Sequence, residues 1–376
     1  MSRPIGIVVA ACALTVAGLA AVTAQSRVPA AGWDARAAAG YLDGRMEWWL
    51  HWPNAARDRD TTCVSCHTAA PYALARPVLR AALGDREAAA PERQMLAHVV
   101  KRVQLWREVE PFYSDQRSGL PKTSESRGTE AILNALVLAS RDRAAGVLSD
   151  DARLAFEHLW KLQFTAGTLK GGWAWLNFHY EPWEADDAGF YGASLAALAV
   201  GMAPGYGASP QIQSNVTMLQ QYVQKSVDKT TLFNRAAAVW AASVLPGLVT
   251  DAQRDAAIDA LMAAQQGDGG WSLASLGAYK RIDKTEMDTA TDGYATALVT
   301  VALKSTRAAR ADTAIRRGQD WLRAHQDAST GMWRTMSLNK QRDPASDVGK
   351  FMSDAATAYA VLALSDAASA SSSRER

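Results

Sequence analysis

Between residues 34 and 365 the chain alternates segments apolar on one face with segments apolar almost all round. The second kind is clearest in DDAGFYGASLAALAVG (186–201), TDGYATALVTVALK (291–304) and SDAATAYAVLALS (353–365). The first kind is typified by DAQRDAAIDALMAAQ (251–265). A helix apolar on every side belongs in an interior, and an amphipathic one belongs at a periphery. Weaker copies pair an amphipathic 91–108 with an apolar 126–140, and SPQIQSNVTMLQQYVQKS (209–226) with TLFNRAAAVWAASVL (231–245). A first copy pairs 34–51 with 70–83. Six outer–inner pairs result, at intervals of roughly 40 to 60 residues, a period that marks repeat architecture. Six hairpins of this kind can close into a ring with the inner helices lining a central cavity. The pattern therefore predicts an all-α domain of helical hairpins over 25–367.

The N-terminus reads differently. MSRPIGIVVAACALTVAGLAAVTAQS has a single Arg3, an apolar run from Ile5, and small residues at Val22-Thr23-Ala24. That is the layout of a secretory signal peptide over 1–24, with an uncleaved anchor as the competing reading. Cys12 lies inside the run, so Cys63 and Cys66 are the two cysteines expected in the exported chain. The expected location is periplasmic or secreted. With 40 basic and 38 acidic residues, charge directs the chain neither to nucleic acid nor to an anionic surface. The last residues, 368–376, are small and polar and read as a disordered tail.

Three segments share a finer motif: Leu159, Gln163 and Trp173; Leu261, Gln265 and Trp271; Leu322, Gln326 and Trp333. In each, Gln follows Leu by four positions and a Gly-rich loop ends in Trp. Arg317-Gly318-Gln319-Asp320-Trp321-Leu322, followed by Gln326 and Gly331-Met332-Trp333, resembles the QW repeat of squalene-hopene cyclases and of the wider terpenoid cyclase and protein prenyltransferase group. The resemblance covers most of the chain after the leader. It implies an α/α toroid and a structural role for these six Gln and Trp residues, clamping neighbouring hairpins together.

Candidate chemistry begins with Cys63-Val64-Ser65-Cys66-His67, the C-x-x-C-H attachment signature of c-type haem. Two thiols so spaced form thioethers to the haem vinyl groups, and the adjacent imidazole reaches the iron. The motif stands where a loop meets an inner helix, the register of Asp187, Asp292 and Ser353 in later repeats, with Pro71 suited to the first helical turn. A structural disulfide or a thioredoxin-like pair are the plainer readings, and neither uses His67. Zinc is not expected: the prenyltransferases use an Asp, Cys and His set, and the later repeats hold no cysteine. For a second axial ligand the loops before inner helices favour His179, then Met287 and Met352. His98, His158 and His325 read as surface or packing residues of outer helices.

A second constellation, Glu184-Ala185-Asp186-Asp187-Ala188, is similar to the D-x-D-D-T acid motif of the cyclases. The resemblance would give Asp186 the task of protonating an alkene, with Trp173, Trp175, Phe178, Tyr180, Trp183 and Tyr191 to stabilise a cation. The motif departs at both ends, Glu for Asp and Ala for Thr, and the cyclases use two toroids. Carboxylates at helix starts are also ordinary caps, a reading that covers Glu184, Asp186 and Asp187 and extends to Glu130, Asp288 and Asp292.

Three functions follow. The first is an exported haem c protein for electron transfer or redox sensing, with a redox partner protein and an isoprenoid or quinone-like ligand in the cavity. The second is a terpenoid cyclase using Asp186, and the third a non-catalytic binding toroid. Export favours the first, because haem c is attached outside the cytoplasm.

Overall fold

The computed structural model describes residues 32–115 and 122–365. The expected signal peptide and C-terminal tail lie outside the described residues. Twelve helices carry the architecture: α1 (Ala35–His51), α2 (Ala69–Leu83), α3 (Ala90–Gln104), α4 (Thr123–Ala145), α5 (Asp150–Lys161), α6 (Ala188–Met202), α7 (Gln213–Ser226), α8 (Leu232–Ala242), α9 (Asp251–Ala263), α10 (Gly293–Thr306), α11 (Asp312–Ala324) and α12 (Phe351–Leu364). A one-turn helix, Leu273–Leu276, and a two-residue antiparallel ladder, Ala56–Arg57 with Thr61–Thr62, complete the regular structure apart from short 3-10 turns. The fold is all-α, and none of the described helices is long and apolar enough to cross a membrane.

The even-numbered helices are those the pattern makes apolar all round, and they are the buried ones. In α6, Phe190, Leu195, Leu198 and Val200 are all essentially removed from solvent. Each such side chain contributes about 1.5–3 kcal/mol through burial. The odd-numbered helices bury one stripe only, as in α9, where Ala257, Ile258 and Leu261 face inward. Local capping sets their starts: Ser149, Thr231 and Thr250 accept from backbone N–H groups of the first turns of α5, α8 and α9, and Thr250 with Gln253 forms a reciprocal box.

Contacts among the even helices follow a cyclic order: α2 with α4, α4 with α6, α6 with α8, α8 with α10, α10 with α12, and α12 back to α2. The odd helices pack outside this series, and the phase of pairing differs from the sequence expectation. Four outer helices lie chiefly against the inner helix before them, α5 on α4, α7 on α6, α9 on α8 and α11 on α10, whereas α1 packs more on α2 and α3 more on α4, the inner helices that follow them.

The Gly-rich loops carry the Gln and Trp residues, and the geometry is a clamp. Trp173, Trp271 and Trp333 each donate an indole N–H to a carbonyl at the end of the preceding outer helix, Leu159, Leu261 and Leu322, at 2.8, 2.7 and 2.7 Å. Each Gln holds its own loop and the start of the next outer helix. Gln163 donates to Gly171 and Asn215, Gln265 to Gly269 and Ala314, and Gln326 to Gly331 and Asp34. The third clamp joins the two ends of the described chain. Gly331, at φ 80°, sits so close to Ala37 that a Cβ would fall 2.3 Å from its carbonyl carbon.

The expected central cavity is filled. Tyr191, Phe233, Tyr294 and Tyr359, one from each of four inner helices, are almost wholly buried and touch one another, with centroids 5.4 to 5.7 Å apart for Tyr191–Phe233, Phe233–Tyr294 and Tyr294–Tyr359. Glu130 also departs from its expected place at a helix start. It lies inside α4, fully buried, with Arg102 Nε 2.6 Å away.

Candidate functional site

The short ladder turns the chain into the cysteine loop, and Arg102 of α3 fixes that turn. Its guanidinium, fully enclosed, pairs with Glu130, lies 3.2 Å from Asp58, and donates to Thr61 Oγ1 and to the Glu110 carbonyl. Cys63 N–H donates to Ala55 O at 2.9 Å, and its own carbonyl accepts from Trp49 Nε1 at 2.7 Å. Ser65 Oγ then accepts from Thr68 N and Ala69 N, satisfying donors at the start of α2. Cys63 and Ser65 of the motif are thereby tied to Ala55, to Trp49 of α1 and to the start of α2.

Cys63 and Cys66 are both free thiols and both buried. Burial pushes Cys63 up to about 11, against the nearby Arg57, and burial with Glu184 close by pushes Cys66 well above the ordinary range. A reactive dithiol needs the opposite, an electropositive and accessible setting. A thioether is neutral, so surroundings that penalise a thiolate do not penalise it.

His67 is enclosed by rings. Phe351 stacks on it at 3.9 Å, Trp49 meets it edge-on at 5.0 Å, and Trp183 lies at 5.9 Å. Trp48 and Trp52 extend the cluster outward. Burial, with Arg45 nearby, pushes the imidazole down to about 3, so it is neutral at ordinary pH, the form that ligates metals. Its Nδ1 lies 2.8 Å from Thr68 Oγ1. Two unpaired thiols and a neutral imidazole tethered through Nδ1 are a donor set that fits covalent haem.

Hydrogen bonds link the starts of four inner helices, α4, α6, α8 and α10, and Trp183 of this set reaches His67. Trp183, before α6, donates to Tyr294 in the first turn of α10 at 3.0 Å, and Asn234 of α8 donates to Asp187 at 2.9 Å. Lys122, at the start of α4, donates to Asn177 O in the same loop that carries Trp183. Burial raises the Glu184 carboxyl to about 7, with Lys122 acting against it. Glu184 is thus a residue of the thiol site.

Asp186 and Asp187 part company with Glu184. Asp186 is exposed, accepts from Asn177 at 2.8 Å and pairs with His179 at 3.1 Å. The Asn177 hydrogen bond, then His179, hold its carboxyl below the usual range. An ionised, solvated carboxylate does not protonate an alkene. Asp187 occupies the cap position of α6 without accepting a cap hydrogen bond, whereas Asp292 does cap α10 through Tyr294 and Ala295. His179, at φ 58°, has its Nδ1 3.1 Å from Asp186 Oδ1. Met352 is buried in α12, and Met287 lines a separate cavity of about 170 Å³ beside Arg281, Asp292 and Arg334. His158 stacks on Trp106 and His325 on Trp321, both packing roles, while His98 contacts Thr62.

A cavity of about 270 Å³ lies against His179, Glu181, Asp186, Asp187 and Tyr279. Burial and the neighbouring Asp187 and Asp186 raise Glu181 to about 7. Neither described cavity is lined by Cys63, Cys66 or His67. Among the described residues no group of three or more His, Cys, Asp or Glu is placed to hold a metal ion, a pattern that concerns zinc-like sites and not an iron with one protein donor.

Sequence reasoning gave Trp183 a role beside the acid motif rather than beside His67, and did not find Thr68, Phe351 or Asp354. The last two stand nearly three hundred residues from His67, and only the cyclic helix contacts bring them to it. Comparison with models of protein families and with curated proteins gives no match for this chain.

Proposed function

We propose that the chain is an exported haem c protein, periplasmic or secreted, built on an α/α toroid of six hairpins and serving electron transfer or redox sensing with a partner protein. The observation that carries the reading is the state of the motif: both thiols unpaired and buried, beside an imidazole tethered through Nδ1. Cys63 and Cys66 would hold the haem covalently and His67 would ligate its iron. Bound there, the group supplies one-electron exchange between ferric and ferrous states. The protein's own part is to keep the imidazole neutral and oriented, to enclose one side with Trp49, Trp183 and Phe351, and to leave Trp48, Trp52 and Phe351 partly exposed toward an approaching partner. The cyclic order of inner-helix contacts and the Gln–Trp clamps support the toroid and the likeness to the cyclases. The cyclase alternative has no comparable support, since Asp186 is exposed and ionised and the interior is occupied by aromatic side chains. That filled interior also supports leaving an isoprenoid or quinone-like ligand out of the reading.

Expression with haem-maturation machinery tests it. The mature protein should stain for haem on a denaturing gel and give a c-type haemochrome spectrum. Cys63→Ala and Cys66→Ala should each weaken the stain, and the double variant should abolish it. A mature chain whose mass equals the bare polypeptide would sink the proposal.

A further inference from the structure

Resting on the haem reading, we infer that Thr68 is a positioning residue, bridging His67 to the buried Asp354 carboxylate so that Nδ1 carries the imidazole proton and Nε2 keeps its lone pair for iron. The hydrogen bonds determine the direction. Thr68 Oγ1 lies 2.7 Å from Asp354 Oδ2 and 2.8 Å from His67 Nδ1. A hydroxyl has one proton to give. Asp354 also receives Arg45 Nε and Tyr41 OH, each at 2.8 Å on Oδ1. Burial works to raise the Asp354 carboxyl and the Arg45 hydrogen bond works to lower it; with a guanidinium in direct contact at 2.8 Å and a phenol donating to the same oxygen, the geometry makes Asp354 the acceptor of this cluster. The Thr68 proton therefore points to Asp354, and toward His67 the hydroxyl only accepts. Nδ1 must be the N–H.

The bridge spans three elements: His67 and Thr68 at the start of α2, Asp354 in α12, and Tyr41 and Arg45 in α1. Arg45 reaches on to Asp347, at 2.8 Å to the carboxylate and 2.8 Å to its carbonyl. The ligand's orientation is thus set where the first and last inner helices meet. A hydrogen bond from the non-ligating nitrogen toward a carboxylate fixes the tautomer and strengthens the imidazole as a donor. A stronger donor favours the ferric state, so the bridge holds the reduction potential down.

Two measurements test this, one without haem. In the apo-protein, nitrogen NMR of the His67 ring should give the Nδ1–H tautomer, and Thr68→Val should shift the ring toward the Nε2–H form while Thr68→Ser retains the parent signature. In the haem-loaded protein, Thr68→Val should raise the potential by about 59 mV, corresponding to a tenfold change in a one-electron equilibrium, with Thr68→Ser restoring it. Tyr41→Phe removes a donor from the same carboxylate without touching the imidazole, so it should lower stability without raising the potential. An Nε2–H tautomer in the parent apo-protein overturns the inference whatever the haem content. A loaded Thr68→Val protein with the parent's potential overturns it while leaving the haem reading intact. A parent chain that never takes up haem, yet shows the Nδ1–H tautomer and the Thr68 dependence, removes the haem reading and leaves the bridge as a device for orienting His67 alone.

Discussion

Glu184 is the residue whose environment departs furthest from what its sequence neighbours imply. A folded-state value near 7, against an ordinary 4.5, means that the native state binds this proton more tightly than the unfolded chain does. The stability it lends is full below about 4.5 and is lost as the pH climbs through about 7. His67 and His158, both pushed down by burial, act oppositely, since stability gained from a neutral imidazole grows as pH rises through the ordinary 6.5. The clean observable is therefore a difference. Relative to Glu184→Gln, the unmodified protein should lose on the order of 2 kcal/mol between pH 4.5 and 8 in urea denaturation, and parallel profiles for the two proteins would refute the assignment. His179 offers a second test. Paired with Asp186 on an exposed loop, it is not expected to bind iron, so His179→Ala should leave the reduced spectrum of the loaded protein unchanged. Conversion to a high-spin spectrum would restore it as the distal ligand. At this scale the sequence made the thiols and His67 legible, because their chemistry depends on local spacing. It could not reveal Thr68, Phe351 or Asp354 as partners, because a hydroxyl, a ring and a carboxylate have no motif of their own and meet His67 only through tertiary contact.

At the scale of elements, the alternation of one-faced and all-round apolar segments was enough to locate the helices within a few residues. What it left out was phase: the pattern orders outer and inner helices along the chain, and tertiary packing decides which neighbours form the tighter pair. The Gln and Trp positions were legible because a helix end with orphan carbonyls and a Gly-rich turn demand particular donors. Gln326→Ala removes the hydrogen bonds that tie the last Gly-rich loop to Asp34 at the start of α1, and should cost about 1–3 kcal/mol. Hydrogen exchange should quicken first in the opening turn of α1, and uniform slow exchange there would contradict the clamp. Arg102 ties the cysteine turn to α3 and α4. Arg102→Met would leave the buried Glu130 carboxylate with Arg127 alone, 3.5 Å away, and should cost about 3 kcal/mol, read from thermal or chemical melts. A double variant with Glu130→Leu should recover much of that loss.

For the molecule as a whole, the cyclic helix order means that the first and last pairs are ordinary neighbours, and the thiol site is assembled at their seam. Asp354 stands 286 residues after Thr68 in the chain. A chain made from its N-terminus therefore presents Cys63 and Cys66 long before Phe351 and Asp354 are available to enclose them. In the finished fold those thiols are only 8% exposed. Folded apo-protein should accordingly react slowly with a maleimide and denatured apo-protein quickly, and equal rates would be inconsistent with the burial described. The same seclusion sets a schedule for biogenesis. Under the proposed haem reading, covalent attachment would have a window that shuts when α12 docks, so a ligating enzyme would act on the unfinished fold, and protein first folded empty should be refractory to later loading.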